Sequence, residues 1–252
     1  MLQVTLLSIL QGIAEFLPIS SSGHLVLGKE LLGMHELGMR LDIFLHVGTL
    51  LAVFVFYFAI LRRLLLNFEW RYALKLVISA VPAGLVGVLF KDQLELAFSS
   101  SKAVGFALLF TGLVLTITRF LPRGGREVSF LSALWMGLAQ AVAILPGVSR
   151  SGMTLAAARA AKVEASKSAE FSFLMSAIPI GGAAFLEAMK AFKSSEDFSA
   201  IQVSWPLTIY GSLVAALVGY FALKILLKSL KSDKFWLFGP YCFLAGLLTL
   251  LI

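Results

Sequence analysis

Long apolar runs separated by short polar segments dominate the chain, and six of them have the length of a membrane-crossing helix. Such a helix needs about 20 mostly apolar residues, within a range of about 17–25. The six predicted spans cover residues 41–61, 73–91, 103–121, 168–188, 205–226 and 235–252. The pattern therefore predicts an all-α polytopic membrane protein.

Two further apolar segments, residues 2–33 and 131–160, are each broken in the middle by a cluster of proline, serine and glycine. Pro18 and Pro146 are expected to end the first helix of each segment, because proline lacks an N–H donor and clashes with the preceding turn. Each half has about 10–15 residues and is too short to cross a bilayer. We expect two re-entrant helix–loop–helix elements that enter and leave the membrane by one face.

The two broken segments resemble each other at a constant spacing. Placing Gln11 over Gln140, an offset of 129 residues, puts residues 19–23 (ISSSG) over residues 148–152 (VSRSG) without a gap. We interpret the single integral membrane domain, 1–252, as two repeats of about 1–126 and 127–252. Each holds one re-entrant element and three spans, and three is an odd number. The second repeat must therefore be inverted relative to the first, with the broken elements meeting near the midplane.

Composition excludes a soluble enzyme, a disordered chain and a disulfide-stapled secreted domain. Apolar residues make up 59% of the chain and charged residues 14%, and the mean hydropathy is +0.92. Soluble domains contain about 45–50% apolar and about 25% charged residues. The net charge of +7 is better explained by loops facing anionic lipid headgroups than by nucleic acid, which we do not expect as a partner.

Glu15 interrupts the N-terminal apolar run and no Lys or Arg precedes it, so we expect no removable signal peptide.

Loop charges predict the orientation. We call the side on which the first re-entrant element begins face A, and the opposite side face B. Face A carries six basic residues, Lys29, Arg40, Lys91, Lys102, Lys190 and Lys193. Face B carries fourteen, within residues 62–75, 119–126, 159–167 and 224–234. The positive-inside rule makes face B cytoplasmic, so both termini and the first re-entrant element are expected outside.

Ionisable groups inside the membrane are costly and mark candidate functional sites. The broken elements contain Glu15, His24 and Arg150, whereas Asp42, His46 and Glu170 lie near span ends and carry less weight. Serine favours the N-cap position, and the free N–H groups of a helix N-terminus bind anions. With the planar fork of Arg150, this predicts a phosphate or pyrophosphate site. Its phosphate-binding residues are predicted to be Ser20, Ser22, Ser149, Arg150, Ser151 and Thr154.

Gln11 and Glu15 are four residues apart and share a helical face. Their side-chain oxygens suit a hard divalent cation that also binds phosphate, but an ion pair between Glu15 and Arg150 is an equally good interpretation. His24 has three interpretations: it attacks phosphorus, it transfers protons, or it caps the second helix.

The two motifs resemble those of the undecaprenyl-pyrophosphate phosphatase family, also called bacitracin-resistance proteins (UppP/BacA type). The first motif runs from Gln11 through Glu15 to His24, the second is Pro146–Thr154 (PGVSRSGMT), and residues 169–174 (AEFSFL) are also similar. The resemblance covers the whole chain. Where the family allows Glu or Gln at the start of the first motif, this chain has Gln11. Glu15 is thus the sole carboxylate of the pair, which disfavours a two-carboxylate metal site.

The resemblance implies hydrolysis of a C55 isoprenyl pyrophosphate to its monophosphate at the outer face of the bacterial inner membrane. This phosphatase activity would recycle the lipid carrier for cell-wall synthesis and confer bacitracin resistance. The resemblance also implies a divalent cation, Mg²⁺ or Ca²⁺, and inverted repeats. By motif position, the functional roles fall to Glu15, Ser21, His24, Ser149, Arg150 and Thr154.

The sequence leaves several alternatives open. The catalytic residues are predicted to be Glu15, Ser21, His24 and Arg150, with His24, Ser21 or a water activated by Glu15 as the nucleophile. Inverted repeats with broken helices are also transporter architecture, so a carrier or flippase of a lipid phosphate or other anion is the alternative function. The oligomeric state also stays open, a homodimer included.

Overall fold

A computed structural model of the chain describes residues 1–34, 39–98, 100–193 and 204–251. Within these ranges the chain is α-helical, with short 3₁₀ turns and one isolated bridge between Arg126 and Val163. The helices are α1 Leu2–Phe16, α2 Ser21–Leu31, α3 Met39–Phe56, α4 Phe58–Leu66, α5 Trp70–Leu89, α6 Lys91–Phe98, α7 Ser101–Ile117, α8 Phe130–Val142, α9 Arg150–Ala160, α10 Ala165–Lys193, α11 Trp205–Lys231 and α12 Phe238–Leu251.

Four described helices are long and apolar enough to cross a membrane: Trp70–Leu89, Ser101–Phe120, Ala165–Leu186 and Trp205–Lys231. A fifth candidate is a pair, Leu41–Phe56 and Phe58–Leu66, bent by 70°. The prediction of one straight span over 41–61 is therefore wrong beyond Phe56. The first arm is already about 24–27 Å long at 1.5 Å per residue, and the second carries Arg62 and Arg63, a composition typical of an interfacial helix.

The sixth predicted span, 235–252, is short in the described part of the chain. A 3₁₀ turn, Phe235–Leu237, leads into α12, and together they form a 17-residue apolar stretch that ends at Leu251. Its length is at the lower limit for a transmembrane helix.

Each broken element folds into two short helices that pack on each other as a helical hairpin. α1 and α2 form the first and α8 and α9 the second, with the breaks between Phe16 and Ser21 and between Val142 and Arg150. The open end of the first is tied by a hydrogen bond from Gln3 Nε2 to Leu32 O, at 3.0 Å. The chain before and after the second is joined by a backbone hydrogen bond from Arg126 N to Lys162 O, at 3.1 Å. The two ends of each element therefore lie close together.

The helices of the two halves pack in matching pairs. α1 packs on α11 and α8 on α5, while α3 packs on α11 and α10 on α5. The last helices of the halves, α7 and α12, pack directly on each other. Glycines permit their close approach: a Cβ on Gly112 would lie 3.0 Å from Gly239 O, and one on Gly246 would lie 2.8 Å from Gly105 O. Such contacts between small residues are typical of helix pairs in membranes.

The tips of the two hairpins meet in the interior. A Cβ on Gly23 would lie 3.0 Å from the Cα of Gly147, and Ser151 Oγ donates to Leu17 O at 3.3 Å. Gly147 has φ of +93°, and a Cβ there would lie 2.5 Å from Val104 O. Glycine is required at this turn because another residue would be strained and would clash. The fold thus joins two motifs that are 129 residues apart in the sequence.

Charged loops are tied together on face B. Arg159 Nη1 forms an ion pair with Asp233, and Arg123 Nε lies 3.3 Å from the other carboxylate oxygen of Asp233. Arg159 also donates to Leu121 O at 2.8 Å. The hydrogen bond from Arg159, supported by Arg123, holds the pKa of Asp233 below its usual value of 3.8.

Candidate active site

The site is centred on Glu15, which is buried in the last turn of α1. Its Oε1 accepts a hydrogen bond from Arg150 Nη2. Its Oε2 accepts hydrogen bonds from Ser21 Oγ at 2.6 Å and from Gln11 Nε2 at 3.1 Å. The first hairpin therefore supplies a carboxylate and the second supplies its counter-ion, an arrangement that offsets the cost of burying both charges.

Arg150 is the first residue of α9, directly after the N-cap residue Ser149. Its guanidinium lies over the Phe173 ring at 5.9 Å from the centroid, and Phe173 packs edge-on against Phe16 at 5.4 Å. Its Nη1 is buried without a hydrogen-bond partner in the described part of the chain. An unsatisfied buried cationic donor is costly, and the oxygen of a bound phosphate would satisfy it.

Serines cap both hairpin tips, as the sequence predicts. Ser20 Oγ accepts from Gly23 N at 3.3 Å, and Ser149 Oγ accepts from Gly152 N at 3.1 Å. Ser20 adopts φ of +71°, a strained conformation for a non-glycine residue that often occurs at functional sites. Each cap also contacts the hydroxyl two residues further on, at 3.3 Å. These second hydroxyls belong to Ser22 and Ser151.

Thr154 lies one turn deeper than the rest of the second motif and is fully buried. Its Oγ1 donates to Arg150 O at 2.9 Å and lies 2.7 Å from Ser172 Oγ. Thr111 Oγ1 in turn accepts from Ser149 N at 3.0 Å. These hydroxyls satisfy backbone and hydroxyl groups beneath the tip, so in this structure Thr154 supports the helix that carries Arg150.

Both ring nitrogens of His24 contact groups outside the Glu15–Arg150 pair. Its Nδ1 lies 2.8 Å from Ser20 O, and its Nε2 lies 2.8 Å from the hydroxyl of Tyr241 on α12. The two rings are stacked, with centroids 5.7 Å apart. Nothing in the sequence distinguishes Tyr241, because a tyrosine near a helix start is common at a membrane boundary.

His46 joins the site from α3. Its Nε2 lies 3.4 Å from Glu15 Oε2, and its Nδ1 lies 2.7 Å from Asp42 O. The sequence placed His46 near a span end, and a histidine within an apolar span is itself a signal of function. What the sequence could not supply was the packing of α3 against the first hairpin.

The structure contains a minimal donor set for a divalent cation. No group of three or more His, Cys, Asp or Glu side chains suited to a metal is found among the described residues. However, Gln11 Oε1 is buried one turn before the Glu15 carboxylate and has no hydrogen-bond partner in the part of the chain that the structure describes. This pair fits a hard cation that draws its other ligands from water and substrate phosphate, as Mg²⁺ commonly does.

Comparison with known proteins places the chain in a family. The family described as bacitracin resistance protein BacA matches residues 4–248. The chain belongs to this family. A relative from Halothermothrix orenii, named undecaprenyl-diphosphatase, is 39% identical over 99% of this chain and 97% of its own length. A relative with the same name from Desulforapulum autotrophicum is 36% identical over 99% of this chain and 97% of its own length. Another, from Thermotoga petrophila, is 38% identical over 98% of this chain and 98% of its own length.

Membership of the BacA family confirms the resemblance drawn from the two motifs. Both motifs lie in the hairpin tips, and their side chains form one buried cluster. Together with the apolar helices, the family establishes a multi-pass membrane protein.

Proposed function

We propose that this BacA-family protein is an undecaprenyl-pyrophosphate phosphatase, which hydrolyses the lipid pyrophosphate to undecaprenyl phosphate and inorganic phosphate. The observation that carries the proposal is Arg150 Nη1, which is buried beside the Glu15–Ser21 pair and has no hydrogen-bond partner among the described residues. Related proteins named undecaprenyl-diphosphatase support the substrate class. In the cell this activity returns the lipid carrier to cell-wall synthesis and counteracts bacitracin.

Arg150 acts as the phosphate clamp in this proposal. One Nη holds Glu15 and the other is available to a phosphate oxygen, so the planar fork binds both at once. The N-termini of α2 and α9 add backbone N–H groups, and Ser20, Ser22, Ser149 and Ser151 add hydroxyls at the same tips. Phosphoryl transfer depends mainly on positioning and charge stabilisation, and these groups provide both. Thr154 would act through the backbone of Arg150.

Ser21 is the best-placed nucleophile, because its hydroxyl already donates to the Glu15 carboxylate at 2.6 Å. In the proposed step, Ser21 Oγ bonds to the terminal phosphorus and passes its proton to Glu15. The bond from that phosphorus to the bridging oxygen breaks, and undecaprenyl phosphate leaves. Water then releases inorganic phosphate from the serine. The competing mechanism, in which Glu15 activates water directly, forms no phosphoserine. His24 is less well placed for attack because Tyr241 lies against its Nε2.

We propose that Glu15 and the free Oε1 of Gln11 hold the divalent cation, Mg²⁺ or Ca²⁺, together with the substrate pyrophosphate. When bound, it would neutralise charge that builds up on the phosphate oxygens. When the cation binds, the Glu15 carboxylate must contact both Arg150 and the cation. The two oxygens of the carboxylate allow this.

We also propose that the two halves are inverted repeats with two re-entrant hairpins, and that face B is cytoplasmic. The matching helix pairs α1–α11 and α8–α5, the folded-back hairpins and the reciprocal glycine contacts of α7 and α12 support this arrangement. The fourteen basic residues of face B support the orientation. Both termini and the opening of the site would then face outward.

The decisive experiment gives purified protein in detergent a prenyl pyrophosphate and measures released phosphate. We expect cation-dependent release by the wild type and none by Arg150→Ala. Binding of the pyrophosphate with no release would instead favour the carrier or flippase alternative. Acid-stable phosphoserine trapped on Ser21 in a rapid quench would support the serine route, and its absence during turnover would support the water route.

A further inference from the structure

Tyr241 provides the first helical turn of α12 with a hydroxyl that reaches across to the first hairpin. It comes from the second half of the chain, yet its contact, His24, is 217 residues away in the first motif. The hydroxyl lies 2.8 Å from Nε2, and the two rings stack nearly parallel, at 14°. A hydrogen bond combined with ring stacking fixes both the position and the plane of an imidazole.

The second nitrogen of His24 determines the direction of this hydrogen bond. Nδ1 lies 2.8 Å from the carbonyl oxygen of Ser20. A carbonyl oxygen only accepts, so Nδ1 carries the hydrogen, and in the neutral ring Nε2 has the free lone pair. The tyrosine O–H must therefore donate to Nε2.

We propose that Tyr241 is a positioning residue of the active site, which fixes the Nδ1–H tautomer and the ring plane of His24 and holds its Nε2 as a hydrogen-bond acceptor. His24 is 8% exposed, whereas Tyr241 is 45% exposed. The tyrosine therefore lies on the open side of the imidazole and covers Nε2. Its removal would uncover this nitrogen and leave the ring held by Ser20 alone.

This inference builds on the proposed function, because it assumes that His24 contributes to turnover. The test compares Tyr241→Phe with the wild type and with the matched control Tyr210→Phe. Tyr210 also loses a hydroxyl contact in that control, to Thr5 Oγ1 at 3.3 Å. All three proteins are assayed for prenyl-pyrophosphate turnover and for the rate at which diethyl pyrocarbonate modifies the peptide that contains His24.

We expect Tyr241→Phe to lower kcat by about three- to tenfold, the effect of one lost hydrogen bond, with KM nearly unchanged. We also expect diethyl pyrocarbonate to modify His24 at least about threefold faster, because Nε2 loses its hydrogen bond from the tyrosine. Tyr210→Phe should change neither quantity. Wild-type kcat together with a wild-type modification rate in Tyr241→Phe would overturn the proposal.

A second measurement needs no variant of the tyrosine. The ¹⁵N spectrum of histidine-labelled wild-type protein should show His24, assigned by loss of its signals in His24→Gln, with Nδ1 protonated and Nε2 bare. The opposite tautomer would overturn the proposal even if turnover changed. If the wild type released no phosphate at all, the proposed function would fail, while the modification rate and the spectrum would still decide the role of Tyr241.

Discussion

Replacing Arg150 by lysine tests the phosphate clamp while keeping the positive charge. Arginine offers two Nη groups, one bound to Glu15 and one buried without a partner. Lysine has a single ammonium on a flexible stem and cannot reproduce that fork. We therefore expect it to keep one of the two contacts and to lose the other.

The lost contact is a hydrogen bond between charged groups, which contributes about 1.5–3 kcal/mol. At 1.36 kcal/mol for each factor of ten, Arg150→Lys should lower kcat/KM by about 10- to 150-fold. The assay is release of phosphate from a detergent-soluble prenyl pyrophosphate over a range of substrate concentrations. Arg159→Lys is the matched control, because Arg159 bonds to Asp233 and Leu121 O on face B, away from the site.

The clamp would be refuted by near-normal kcat/KM in Arg150→Lys at unchanged thermal stability. It would also be refuted if Arg159→Lys lost as much activity, since the loss would then follow from a general weakening of the fold.

Three further predictions concern the cation, face B and the hairpin turn. Chelation of divalent cations should abolish phosphate release, and added Mg²⁺ or Ca²⁺ should restore it. Gln11→Leu should raise the cation concentration needed for half-maximal release by about tenfold, as expected for the loss of one ligand contact. An unchanged cation requirement would show that Gln11 is not a ligand. In Asp233→Asn the new residue tolerates the observed φ of +60°. The pKa of Asp233 is lowered in the folded protein. The ionised carboxylate therefore stabilises the fold above pH 3.8, and this stabilisation is lost as the pH falls through the pKa of Asp233 in the folded protein. The melting temperature of this variant should thus fall below that of the wild type at neutral pH and converge with it in acid, and a constant difference would contradict the ion pairs. Gly147→Ala should destabilise by about 1–3 kcal/mol from backbone strain, whereas Gly84→Ala, where a Cβ meets nothing within 4 Å, should not, as chemical denaturation would show.

Local pattern was sufficient to predict the two helix breaks and their serine caps. Proline and serine clusters act over one or two helical turns, so the breaks near Pro18 and Pro146 and the caps at Ser20 and Ser149 were predicted from sequence alone and are found. The bend after Phe56 was missed because the apolar run continues through it without a helix breaker.

Contacts between distant helices were harder to predict. The sequence offered two interpretations of Glu15, as partner of Arg150 or as cation ligand. The structure shows the first in place and leaves Gln11 Oε1 free for the second. The approach of His46 and Tyr241 depends on how α3 and α12 pack on the first hairpin, and no periodicity within one helix records that packing.

In the proposed mechanism, the cluster at the hairpin tips directs attack on the terminal phosphorus of an isoprenyl pyrophosphate. This is tested by turnover in ¹⁸O-labelled water, after which the products are separated and their masses are measured. We expect the label in inorganic phosphate, an unlabelled isoprenyl monophosphate, and no products from Arg150→Ala. Label in the isoprenyl monophosphate, or release of intact pyrophosphate, would contradict it.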